Sequence, residues 1–202
     1  MPKLTAARIE ARKRLVEDAA LVLFRQRGFH GVGLREIADA AGVSIGNIYN
    51  HFGGKEEVFS SLLERLERRF RGPGTPLSDW LEGCAAPVDY AGLGRAVKRM
   101  VAAHRDYLTL IYVDIAEFEG RHVRAAYQGL LRSFRDAVGE RLGPPVDGLD
   151  PVVGLTAAYM QFFNFFIVES MIGARGHLGL KQDDAIHALA GIFQRGLGGG
   201  TA

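Results

Sequence analysis

Apolar positions recur at helical spacing along almost the whole chain. Ile9, Leu15, Val16, Ala19, Ala20, Leu23 and Phe24 form one stripe and predict a first helix over 5–27, stopped by Gly28. Leu34, Ile37 and Ala41 predict a short second helix, with Ala38 small enough to let a neighbour approach. Gly42 breaks that pattern, and Ser44 is a favoured N-cap for a third helix over 45–52. After Gly53-Gly54, the stripe Val58, Leu62, Leu66, Phe70 predicts a fourth helix over 55–71. Further on, the pattern predicts one or two turns over 77–84 and helices over 90–104, from 107 onward and over 128–142, with a break at Gly120 or Gly129. Asp150-Pro151 pairs an N-cap acid with proline at the first helical position. The helix it opens, to about 172, is apolar nearly all round and needs cover on more than one side. A last helix over 182–197 carries Ile186, Leu189, Ala190, Phe193 and Leu197, and Gly198 to Gly200 reads as a tail.

The expected fold class is therefore all-α. Gly72-Pro73-Gly74-Thr75-Pro76 is the clearest break. It divides the chain into a three-helix N-terminal domain over 1–54, a linking helix over 55–71 and a larger helical domain over 72–202.

The third helix is the most informative element. Eight residues are too few for a helix to stand alone, so packing must hold it. At about 100° per residue, Ile45, Ile48, Tyr49 and Phe52 fall on one arc. Gly46, Asn47, Asn50 and His51 fall on the other. One side is apolar, and the other offers two amides, an imidazole and a glycine that leaves room. That suits a helix pressed against a groove and reading it with side-chain hydrogen bonds. By spacing alone, a helical hairpin with a solvated face reads almost as well.

Charge sharpens this picture slightly. The formal net charge of the 202 residues is +2. The first seventy residues hold twelve Lys or Arg against nine Asp or Glu. The excess lies before Leu15, where Lys3, Arg8, Arg12, Lys13 and Arg14 face only Glu10, and such an arm suits phosphate contact. Lys55, at a helix N-terminus, makes a candidate anion clamp. The lone Cys84 forms no internal disulfide and fits a reducing cytoplasm, as a small, partly buried side chain. No apolar core and cleavage site follow the basic N-terminus, so no signal peptide is expected. Residues 152–168 include Thr156, Gln161 and Asn164 and read as a buried helix, with no membrane partner expected. No P-loop, dinucleotide glycine pattern, GxSxG, HExxH or CxxC occurs, and no two histidines stand four apart. No enzyme activity, cofactor or metal is expected.

Taken together, IADAAGVS, GNIYNHF and GGKEEVF resemble the DNA-binding domain of the TetR family of transcriptional regulators, over roughly residues 8–60. The resemblance implies phosphate contacts from Ser44, Tyr49 and His51. Asn47 and Asn50 are the candidates for base edges, because an amide pairs bidentately with adenine. Ile45 is placed to touch a thymine methyl, and Gly46 allows close approach. The family's usual threonine at the start of the second helix is Gly33 here, which offers no hydroxyl; Arg35 is the expected substitute on the DNA backbone. The resemblance also implies a homodimer through the last two helices (about 150–172 and 182–197). It implies a palindromic double-stranded DNA operator and a small effector that releases the repressor. The aromatic run of 159–166 suggests an apolar effector, with His104, Tyr107, Tyr112, Asp114, Tyr159, Phe163, Asn164 and Phe166 as candidate contacts. The competing readings are a helical dimeric binding protein that no longer reads DNA, or a small all-α enzyme.

Overall fold

The computed structural model describes residues 6–145 and 148–197, and among them there is no extended strand. The helices are α1 (Ala6–Arg27), α2 (Leu34–Ala41), α3 (Ile45–Phe52), α4 (Lys55–Arg71), α5 (Pro76–Glu82) and α6 (Tyr90–Ala103). Then follow α7 (Arg105–Phe118), α8 (Arg124–Gln128), α9 (Leu130–Leu142), α10 (Pro151–Ile167) with a π turn at Val168–Ile172, and α11 (Gln182–Leu197). The helical run breaks at both of the alternative positions. Gly120 takes a left-handed backbone after α7, and Gly129 stands before α9. Lys3, Thr5, the side chain of Leu197 and the tail at Gly198–Gly200 lie outside the described residues.

The chain forms two compact units. The first combines the chain up to Arg69 with Asp106–Arg124, and the second combines Phe70–Arg105 with the chain from Ala125 onward. In the first unit α1 packs on α2, and α2 on α3. Val16, Ala20 and Phe24 of α1, Ile37 and Ala38 of α2 and Ile48 of α3 are all buried in the core of this unit. The α1 stripe is narrower than its sequence suggests, since Leu15 is 54% exposed. Beside the stripe Glu17 is buried, accepting from Ser61 Oγ at 2.7 Å and pairing with Arg65 at 2.9 Å. This polar link joins α1 to α4, because a buried carboxylate needs partners to offset its lost hydration.

The Asp106–Arg124 segment is built into the same unit. Phe118 lies edge-on to Phe29, with ring centroids 4.5 Å apart, and stacks on Phe59 at 5.1 Å. Glu117 accepts from the backbone N–H groups of Phe29 at 2.9 Å and His30 at 2.7 Å, in the turn that leads from α1 to α2. Asp114, fully buried, takes His122 Nδ1 at 2.5 Å and the Val123 N–H at 3.2 Å. Arg121 completes the attachment by pairing with Glu56 of α4 at 2.7 Å.

In the second unit α6 lies against α5, α10 and α11, and α10 also packs on α9. Leu93, Ala96, Val97 and Met100 of α6 meet Leu155, Ala158, Phe162 and Phe166 of α10 without access to solvent. A glycine is required at position 94: a Cβ there would stand 2.8 Å from the Phe162 ring and 2.9 Å from Ile186. The stretch Pro151–Ile172 is long and apolar enough to cross a membrane by length and composition, and half of it is buried within the unit. Its π turn closes around Glu169, 2% exposed, which accepts from Gly176 N–H at 2.7 Å and Gln182 Nε2 at 3.0 Å. Thus the carboxylate fastens the 173–181 loop to the end of the helix.

Candidate functional site

The α2–turn–α3 hairpin is set by local chemistry. Gly42 ends α2 with φ 66°, a left-handed conformation that glycine adopts without steric cost, and its N–H returns to the last carbonyls of the helix. Ser44 then starts α3, its Oγ accepting from Asn47 N–H at 3.2 Å. At the other end of α2, Gly33 makes no side-chain cap bond, and the helix start is held from the opposite direction. Glu36 Oε2 accepts the Gly33 N–H at 2.7 Å and Oε1 pairs with Arg27 at 2.8 Å. Those bonds, the Gly33 one foremost, hold the Glu36 carboxyl below its ordinary pKa.

Helix α3 is anchored by Ile48 and Phe52, 0% and 9% exposed. Ile45 and Tyr49 share their arc in the helical projection but are 39% and 56% exposed, so the inward face is narrower than expected. Tyr49 thereby joins Gly46 and Asn50 on the outside, with Ser44 and Arg35 also exposed. Asn47 and His51 are half-buried. The Oδ1 of Asn47 is sealed from solvent with no hydrogen-bond partner. A Cβ on Gly46 would meet nothing within 4 Å, so the space in front of it is open. Nearby, Lys13 lies 5.5 Å from the centroid of the Phe52 ring.

Lys55 is placed differently from the clamp expected of it. Its Nζ donates inward to Val32 O at 2.8 Å and Phe29 O at 3.0 Å and lies 4.1 Å from the Phe29 ring centroid. Burial pushes its ammonium pKa below the ordinary value, and the nearby Glu117 carboxylate opposes that shift. Two of its three N–H groups are therefore spent on tying the start of α4 to the α1–α2 turn.

The candidate effector residues scatter. Tyr107, Tyr112 and Asp114 belong to the first unit, where Asp114 is spent on His122 and Val123, Tyr107 is buried and Tyr112 exposed. Phe166 fills the core of the second unit. Asn164 faces solvent, His104 packs edge-on to Phe70, and Phe163 stacks on Tyr159. Among these candidates only Tyr159 lines the cavity of about 450 Å³ in the second unit. Its other walls are mostly apolar: Phe70, Pro73, Leu77 and Leu81 on one side, Leu130, Phe134 and Ala137 on the other. The periodicity missed this wall because α5 is short and only half-packed; Leu77, Trp80 and Leu81 are all partly covered. The Gly-Pro stretch before α5 was the available signal.

Comparison with known proteins places these features. Residues 17–62 match the model of the bacterial regulatory proteins of the tetR family. The HTH-type transcriptional regulator AcrR of Shigella flexneri is 38% identical over 87 residues, 39% of this chain and 40% of that protein. The HTH-type transcriptional repressor KstR2 of Mycobacterium tuberculosis H37Rv is 29% identical over 127 residues, 60% of each. The chain thus spans between two fifths and three fifths of these curated relatives. Fold similarity extends further. A TetR-like transcriptional regulator from Rhodococcus sp. RHA1 superposes with a TM-score of 0.55 at 20% identity, over 98% of this chain and 100% of that one. NalD, the secondary repressor of the MexAB-OprM multidrug efflux pump in Pseudomonas aeruginosa, gives 0.59 at 20% identity, over 93% and 96%. Residues 17–62 thus carry the helix-turn-helix segment of the tetR family of bacterial regulatory proteins, and the fold over nearly the whole chain is TetR-like.

Proposed function

We propose that the protein is a cytoplasmic transcriptional repressor that binds a palindromic operator as a homodimer and is released by a small, largely apolar effector. The observation that carries the DNA-binding reading is the outer face of α3. It is N-capped by Ser44, open in front of Gly46, and presents Asn50 and Tyr49 to solvent beside the half-buried Asn47 and His51. In the major groove, Asn50 serves the base edges and Ile45 a thymine methyl, while Asn47, whose Oδ1 is covered, has only its amide N–H groups to offer a base. Ser44, Tyr49, His51 and Arg35 serve phosphates.

One eight-residue reader gives limited discrimination, and two on a rigid dimer supply more when set roughly 34–36 Å apart. The homodimer is supported by an exposed, nearly uncharged stripe on α10, Val153, Ala157, Met160 and Asn164, with Ala188 and Ile192 on α11. A self-complementary patch of this kind suits a two-fold interface. The cavity beside Tyr159 is the proposed effector site. An effector releases the operator if it favours the non-binding state by a few kcal/mol. Two relatives or neighbours are themselves described as repressors.

Electrophoretic mobility shift on the DNA upstream of the protein's own gene, at several salt concentrations, tests the reading. A steep salt slope with sequence preference is expected. Weak binding that ignores both salt and sequence would leave a helical dimer without a DNA target.

A further inference from the structure

The effector cavity has a polarity of its own. Most hydroxyls in its wall are already engaged: Thr75 and Ser78 bond each other across the N-cap of α5 at 3.1 Å, and Ser133 donates to Gly129 O at 3.1 Å. The body of an occupant therefore meets hydrocarbon and aromatic surface. The rim carries Arg71 and Arg141 against a single acid, Glu82, an excess of positive charge. Arg141 is the more informative of the two. Its guanidinium donates to the carbonyls of Leu81 at 2.7 Å, Ala137 at 2.6 Å and Glu82. Among the described residues no carboxylate pairs with it, its three bonds all going to backbone carbonyls. Three bonds from five N–H groups leave two donors and the whole charge without an anionic partner. Arg141 is solvent-exposed, so that charge stands at the mouth, whereas Phe134 and Tyr159 are buried deeper in the wall.

We propose that the cavity takes a monoanionic amphiphile, an apolar tail along Leu77, Leu81, Phe134 and Tyr159 with a carboxylate head on Arg141. The volume of about 450 Å³ lies in the range of small-molecule sites. With Nη2 spent on two carbonyls, the head takes one charge-assisted bond from the remaining Nε–H or Nη1–H, together with the charge. The proposal rests on the effector reading above for its regulatory meaning, but binding is measurable without DNA.

The single tryptophan, Trp80, sits on α5 between wall residues and serves as the reporter. The whole protein is titrated with decanoate, decanol and decylammonium below their aggregation concentrations, following Trp80 emission. Decanoate is expected to saturate the signal at the lowest concentration. Arg141→Met is expected to weaken decanoate about tenfold, a loss typical of one charge-assisted bond, and to leave decanol unchanged. The unchanged decanol shows that α5 and the cavity remain in place. Glu82→Gln is expected to tighten decanoate. Decylammonium binding as tightly as decanoate overturns the proposal. So does equal weakening of decanoate and decanol by Arg141→Met, which would make Arg141 only a tie between α5 and α9. Saturable decanoate binding without operator release supports the site and counts against the effector reading.

Discussion

At the scale of single residues, open space and satisfied bonds separate reading from scaffolding. Gly46 faces nothing within 4 Å, so the fold places no limit on what stands there. Gly46→Phe is expected to leave the melting temperature unchanged or slightly higher, since glycine inside a helix costs stability. The same variant is expected to abolish the operator shift, because the ring fills the space a groove must occupy. Retained operator binding by a folded Gly46→Phe protein would remove α3 from the interface. Lys55 makes the opposite case. Its sequence position at a helix start suggests a phosphate clamp, but its amine is committed to Phe29 O and Val32 O. Lys55→Met is expected to lower stability by about 1–3 kcal/mol, the cost of leaving the part-buried Val32 carbonyl unpaired. If the amine stays inward, the salt slope of DNA binding does not change; a slope reduced by about one unit would instead mark a phosphate contact. Nothing near Lys55 in sequence announces these partners, which stand 26 and 23 positions earlier.

Among elements, the caps were legible and the assembly was not. The boundaries of α2 and α3 follow from Gly42 and Ser44, whose roles depend on immediate neighbours. The attachment of Asp106–Arg124 to the first unit depends on contacts across more than eighty residues, and helical periodicity carries no such information. The candidate effector residues misled for a related reason. The aromatic run of α10 is largely core, with Phe162 and Phe166 buried, while most of the cavity wall comes from α5 and α9 and only Tyr159 from α10. Glu117 shows what the distant attachment is worth. Burial alone would raise its pKa, but the bonds from His30 and Phe29 outweigh that and hold it below the ordinary value. A carboxylate with a lowered folded pKa adds stability that is complete above its unfolded value, about 4.3, and is lost as pH falls through the folded value. Glu117→Gln should therefore be less stable than the parent near neutral pH, with the difference closing in acid. Urea midpoints across that range check it; a gap independent of pH would mean the carboxylate charge plays no part.

For the molecule as a whole, the proposed homodimer rests on the α10–α11 face. Val153 and Met160, 48% and 40% exposed, and Ile192, 59% exposed, are large apolar groups on surface that a partner copy would cover. Met160→Glu places a charge at the centre of that face and is expected to convert dimer to monomer in sedimentation velocity, with helicity retained. Operator affinity should fall in step, since half the paired readers are lost. A Met160→Glu protein that remains dimeric would move the interface elsewhere. The all-α class and the helix-turn-helix were readable because both depend on short-range periodicity and capping. The sequence limits the proposed dimer face only to the last two helices, because their exposed and buried stripes are both apolar and the sequence does not say which turns outward.

The interleaving of Asp106–Arg124 with the first unit sets an order on biosynthesis. Until the ribosome has released residue 124, the turn before α2 lacks the Glu117 carboxylate and the ring cluster lacks Phe118. The emerging N-terminal segment must wait, incomplete, through the intervening synthesis. For the same reason, transplanting the reader into another protein by cutting after α4 would carry away a domain with one wall missing.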